Sequence, residues 1–311
     1  MKIIFILFYF SAISACVAAK DLRPNIGMSV KEFGAVGDAK KDDTAAIQKA
    51  LDFAFENKEG NPVVLPAGGY VISKPLIVPR NVDIIGEGFG FSSSIIPINC
   101  DAIWLKGETQ EGGYEFRNKI QSLNINMKRA ASGRAIVVDR AYNVKLSEIF
   151  VYEAPEIGIY VNSSNHISFE SVIVYGAGNK NGIGIKIKDS IVNMYNIDIE
   201  NIAIALEIGP DKQNTTHVSV FGGFIERFGK HAINIIGNTH NTFIGVNIQA
   251  DNEEKIPVSI NGNANVNQAS INKNNTFIGG YIGYAKAVNK TKKNAKEYKL
   301  NTKSHVINVG E

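Results

Sequence analysis

Residues 146–151 read LSEIFV, residues 169–174 FESVIV and residues 194–199 MYNIDI. Each is an apolar residue, two variable ones, an apolar residue, one variable residue and a third apolar one. The pattern begins with Ile120, Leu123 and Ile125. After Ile199 it returns as Val220, Gly223, Ile225, then Phe243, Val246, Ile248, and last as Phe277, Gly280, Ile282. Successive first members lie 26, 23, 25, 26, 23 and 34 residues apart, the interval at which self-similarity marks a solenoid.

Each repeat carries a second segment of strict alternation: Ile136 and Val138, Ile159 and Val161, Ile185 and Ile187, Leu206 and Ile208, Ile233 and Ile235, Val258 and Ile260. Period two means strand. A unit of about 25 residues cannot bury its apolar side alone, but stacked units pair in parallel and enclose a continuous apolar column. The expected fold is therefore all-β, a parallel β-helix. A β-sandwich also has recurrent short strands, but its strands need not keep one apolar register over six intervals.

The chain has 311 residues, 44% hydrophobic and 20% charged, enough for one elongated domain. The repeats place that domain at residues 28–284. A net charge of +3 is too small to imply nucleic acid as a partner. Lysines crowd the end, from Lys286 to Lys303, so residues 285–311 read as a basic tail. The two cysteines, Cys16 and Cys100, make no disulfide framework.

Lys2, the apolar run Ile3 to Ile13 and small residues up to Ala19 have the layout of a secretory signal, so residues 1–19 imply export. The run is too short to span a bilayer as a helix. Val17 and Ala19 suit ordinary cleavage, whereas Ile13-Ser14-Ala15-Cys16 fits a bacterial lipobox. In the second case a lipid on Cys16 would be the only tie to a membrane, and the site of action is the periplasm, the outer membrane or the medium.

The segment VKEFGAVGDAKKDDTAAIQKAL, Val30 to Leu51, follows. Asp42 or Asp43 can cap a helix, and Ile47, Ala50, Leu51, Ala54 and Phe55 form a helical stripe. This predicts a helix from Thr44 to Glu56 covering the open end of the solenoid. Together with PVVLPAGGYVISKPLIV (Pro62 to Val78) and NVDIIGEG (Asn81 to Gly88), this opening closely resembles the N-terminal region of the pectate lyase superfamily. The resemblance implies a right-handed parallel β-helix. It also implies an acidic polysaccharide as partner, and an enzyme that is either a glycoside hydrolase or a polysaccharide lyase. Ca²⁺ is the cofactor a lyase would suggest, with Arg227 near a substrate carboxylate. Asn196-Ile197-Asp198 resembles the Asn-x-Asp of polygalacturonases, but their Asp-Asp, Gly-His-Gly and Arg-x-Lys elements have no counterpart in the later coils.

Residues flanking the last apolar position of each repeat should point outward. One lane reads Asn126, Tyr152, Tyr175, Glu200, Glu226, Gln249; its neighbour reads Asn124, Phe150, Ile173, Asp198, Phe224, Asn247. With rungs about 4.8 Å apart and alternate residues about 6.6 Å apart, Asp198, Glu200 and Glu226 form one cluster. These are the candidate catalytic residues. Tyr152, Tyr175, Phe150, Phe224, Arg227 and Gln249 are the candidate substrate-binding residues, and no residue is assigned as a metal ligand. Glycoside hydrolysis needs an acid and a base or nucleophile roughly 5 to 9.5 Å apart, which two of the three can supply. The opposing reading is a solvated acidic face on a non-catalytic glycan-binding or structural β-helix.

His166, His217 and His240 share one corner, two coils apart at the first step, which suits turn bonding better than zinc. Trp104 reads as packing on a strand. Lys186 and Glu207 read as an exposed ion pair. Sequons at Asn162, Asn214, Asn274 and Asn289 matter only in a eukaryotic secretory pathway.

Overall fold

A computed structural model describes residues 27–57, 62–88, 90, 92–107, 117–211, 216–237, 239–250, 258–261, 275–284 and 305–307. The signal-like segment, most of the basic tail, and Asn214, Asn274 and Asn289 lie outside the described residues. The chain forms a parallel β-solenoid with one helix near the N-terminus. Every strand ladder among the described residues is parallel, as a solenoid requires and an antiparallel sandwich does not allow.

The register is the one the repeat pattern implies. Leu146 pairs with Ile120 and Phe169, Phe169 with Met194, Met194 with Val220, Val220 with Phe243 and Phe243 with Phe277. On the second sheet Ile136 pairs with Ile159, Ile159 with Ile185, Ile185 with Leu206, Leu206 with Ile233 and Ile233 with Val258. The short strand His305–Ile307 pairs with 276–278, adding a rung within the segment read as tail.

The doubled variable position in the repeat has a backbone cause. Its second residue is left-handed in coil after coil: Ser122 (φ 55°), Glu148 (φ 53°), Ser171 (φ 53°), Asn196 (φ 52°), Gly222 (φ 68°), Gly245 (φ 66°) and Gly279 (φ 60°). A left-handed residue interrupts the pleat and turns the chain, so the apolar residues on both sides of the bend point inward. Thus Met194, Ile197 and Ile199 are all fully buried. Each such side chain contributes roughly 1.5–3 kcal/mol by leaving water.

The helix spans Thr44–Asn57, one residue longer than expected. Ile47, Ala50 and Leu51 are buried and join the core, closing the first coil. Phe55 departs from the expected stripe: it is exposed, and Arg80 lies over its ring at 6.0 Å. Phe53 is also exposed but packs its ring against Phe33 at 5.4 Å. Asp42 accepts hydrogen bonds from the Thr44 N–H (2.9 Å) and the Ser73 hydroxyl (2.5 Å), joining the helix start to the next coil. Asp43 is buried, and its carboxylate accepts from the Val36 and Gly37 N–H groups at 2.7 and 2.8 Å. No described helix is long and apolar enough to cross a membrane.

Candidate functional site

The strand Ile191–Asp211 carries Asn196 in the bend, then Ile197 inward, Asp198 outward, Ile199 inward and Glu200 outward. The following strand, His217–Glu226, repeats this with Phe224 and Glu226. Its bend contains Gly223 (φ 110°), where an added Cβ would lie 2.1 Å from the Ile197 carbonyl oxygen. Only glycine lets the two strands approach so closely there. That approach sets Asp198 opposite Phe224 and Glu200 opposite Glu226.

The three acids therefore sit together as expected. Asp198 to Glu200 spans about 6.6 Å of backbone, Glu200 to Glu226 about 4.8 Å, and the Asp198 to Glu226 diagonal about 8 Å. Asp198 is half-buried, and its pKa is pushed up to about 6, first by burial and then by the neighbouring Glu200 and Glu226 charges. Arg227, left-handed in the turn after Glu226, binds the Glu200 carboxylate with its guanidinium. That bond holds the Arg227 proton more firmly than usual. The acids are thus differentiated: Asp198 keeps its proton up to about pH 6, and Glu200 is matched by a cation.

The flanking aromatics are in register. Tyr152 and Tyr175 stack on one another, ring centroids 5.5 Å apart and planes 8° from parallel, so their facing surfaces are covered by each other. Phe150 meets Tyr152 edge-on at 6.0 Å. The Tyr175 hydroxyl accepts from the Asn201 amide at 3.1 Å. Phe224 is 49% exposed and is the open aromatic of the group. Gln249 stands one rung beyond Glu226. Asn124 is a correction to the lane: it is fully buried, and its amide donates at 2.8 Å to Ser94, its register partner on strand 93–97.

No group of three or more His, Cys, Asp or Glu side chains that could hold a metal ion occurs among the described residues. The three acids occupy two lanes on two rungs, about 5 to 8 Å apart along the backbone, and Glu200 is engaged by Arg227, so they do not form a calcium ligand set. His217 and His240 meet edge to face at 5.0 Å and His166 packs on Tyr142 at 4.5 Å, a corner arrangement with no convergence.

On the second sheet, Lys186 and Glu207 differ from the exposed pair expected. The Lys186 ammonium lies 2.8 Å from the Glu207 carboxylate, Glu207 is only 6% exposed, and Asn234 donates to it at 3.1 Å. Neighbouring side chains on adjacent rungs cover it, which one-strand reading does not show. Trp104 behaves as packing: its N–H donates to Asp101 at 2.6 Å, and Arg134 lies between its ring and that of Tyr160. Burial opposes ionisation of Asp101, but hydrogen bonds from Arg134 and Trp104 outweigh it and hold the carboxyl below its usual range.

Comparison with known proteins decides the family. The family described as rhamnogalacturonase A/epimerase, pectate lyase-like, matches residues 27–225, well over half the chain. This protein belongs to that family. Mannuronan C5-epimerase AlgE2 of Azotobacter vinelandii is 48% identical over 69 residues, 20% of this chain and 7% of that protein. The pre-neck appendage protein of Bacillus phage B103 is 42% identical over 68 residues, 22% of this chain and 7% of its own length. The chain thus spans less than a tenth of these relatives. ORF18 of Geobacillus virus E2 shares the fold at a TM-score of 0.59 and 15% identity, over 84% of this chain and 58% of that one.

Proposed function

We propose that this protein hydrolyses a glycosidic bond of an acidic polysaccharide on the outer face carrying Asp198, Glu200 and Glu226. The observation that carries the reading is the division of labour among the three acids. Asp198, neutral up to about pH 6, is suited to give its proton to the leaving oxygen. Glu226, across the diagonal, is suited to take a proton from water as the water attacks the anomeric carbon. The carbon–oxygen bond breaks, the leaving oxygen gains the Asp198 proton, and Glu226 retains the water's. A backbone separation of about 8 Å leaves room between the two side chains for this water. Glu200 holds Arg227 at the rim, where its exposed guanidinium can meet a substrate carboxylate.

The polymer class is supported by the epimerase's mannuronan and by the rhamnogalacturonase of the family description. Incubation with mannuronan and rhamnogalacturonan tests the reading. New reducing ends without ultraviolet absorbance support hydrolysis, absorbance from an unsaturated sugar would move the assignment to elimination, and binding without new ends would make it a lectin-like surface. Export belongs to the same proposal: if Cys16 is lipidated, Cys16→Ser should release the protein from membranes.

A further inference from the structure

Of the three acids, only Asp198 has an apolar side chain on each neighbouring rung. Its register partners are Ile173 on the strand Ile167–Lys188 and Phe224 on the strand His217–Glu226. Glu200 lies instead between Tyr175 and Glu226, and Glu226 between Glu200 and Gln249. Adjacent rungs stand about 4.8 Å apart, so Ile173 and Phe224 flank the Asp198 side chain from both sides.

Ile173 has no part in the core. Val172 and Val174 on either side of it are fully buried, and the alternation of the strand turns Ile173 to the outer face. Its own lane leads back to Phe150, and the stacked Tyr152 and Tyr175 run in the next lane. A half-buried isoleucine at this point carries an apolar surface up to the edge of Asp198. Phe224 continues it on the far side. Water is thereby kept from two sides of the carboxyl, and loss of water disfavours the charged form.

Charge alone gives less. The titratable and charged groups facing Asp198 are Glu200 on its own strand, Glu226 and Arg227 from the next coil, and the Tyr175 hydroxyl from the coil before. Arg227 binds Glu200, so those two charges largely offset each other at Asp198. Glu226 remains on the diagonal, and one carboxylate about 8 Å away in a wet setting moves a titration midpoint by only about half a pH unit. Burial is accordingly the first cause of the raised Asp198 pKa. We propose that Ile173 is a positioning residue: with Phe224 it encloses Asp198 between apolar side chains, and so keeps that carboxyl in the form that gives its proton to the leaving oxygen. The proposal rests on the hydrolytic reading above.

The test titrates the Asp198 carboxyl by carbon-13 NMR in the full chain, its signal assigned by loss in Asp198→Asn, and follows the pH profile of reducing-end release from mannuronan and rhamnogalacturonan. Ile173→Thr and Phe224→Thr keep strand-forming side chains while bringing a hydroxyl to the carboxyl. Each should lower the midpoint by about one pH unit with strand content unchanged by circular dichroism, and the fall in rate at high pH should begin earlier by the same amount. Ile173→Val keeps an apolar flank and should retain the wild-type midpoint. Ile244→Thr, an outward substitution two rungs away, should retain it too. An unmoved midpoint in folded Ile173→Thr, or an equal fall in Ile244→Thr, would overturn the proposal alone. So would a midpoint that falls while the pH profile stays in place. Absence of release by the wild-type protein from either polymer would overturn the hydrolytic reading, and the proton-donating role with it, even where the midpoints move.

Discussion

Asp198 shows how one side chain's environment carries the functional argument. Its pKa is about 6 in the folded chain against an ordinary 3.8. The folded state therefore binds the extra proton between these values, and stability falls as pH rises from about 4 to about 6. Above that window the ionised carboxylate is a standing penalty, so Asp198→Asn should raise stability at pH 7.5 by about 1–3 kcal/mol while abolishing turnover. Thermal melting at pH 4 and pH 7.5 checks this, since the gain should vanish at the lower pH. Hydrolysis that needs the protonated acid should decline as pH passes through about 6. The sequence placed Asp198, Glu200 and Glu226 together, because strand register follows from the apolar pattern. It did not show that Arg227 engages Glu200, because a left-handed turn aims that guanidinium back across the rung.

The repeating element is a strand, a left-handed bend and a second strand. The doubled variable position was visible in the sequence, but its cause lies in the dihedral angles of residues as different as Glu148 and Gly245. Side-chain chemistry alone does not identify them. The bend makes a direct prediction: Ser171→Val puts a β-branched residue at φ 53° and should destabilise by about 1–2 kcal/mol, whereas Ser171→Gly should be neutral or stabilising. Urea denaturation of the two variants separates this from a simple surface effect, which would leave both near wild type. The Tyr152–Tyr175 stack and the buried Glu207 were illegible for a related reason. Each depends on contacts between side chains of adjacent coils, which lane assignments order but do not orient.

At the scale of the molecule, the coils share one apolar column closed by the helix Thr44–Asn57. Ile197→Asp would bury an uncompensated carboxylate in that column and should unfold several coils, seen as a large loss of strand signal. Asp43→Ala should destabilise by about 2–4 kcal/mol, because it strips both acceptors from the Val36 and Gly37 N–H groups that fix the cap. The cap and the column were readable from periodicity, since burial there is dictated by repeat spacing. The central claim is that the acidic lane cleaves polysaccharide, and the direct measurement is reducing-end release from mannuronan and rhamnogalacturonan by the wild-type protein, Asp198→Asn and Glu226→Gln. The account predicts release by the wild type and a loss of at least about a hundredfold in each variant with folding retained. Full rates in both variants, or no release by the wild type, would contradict it.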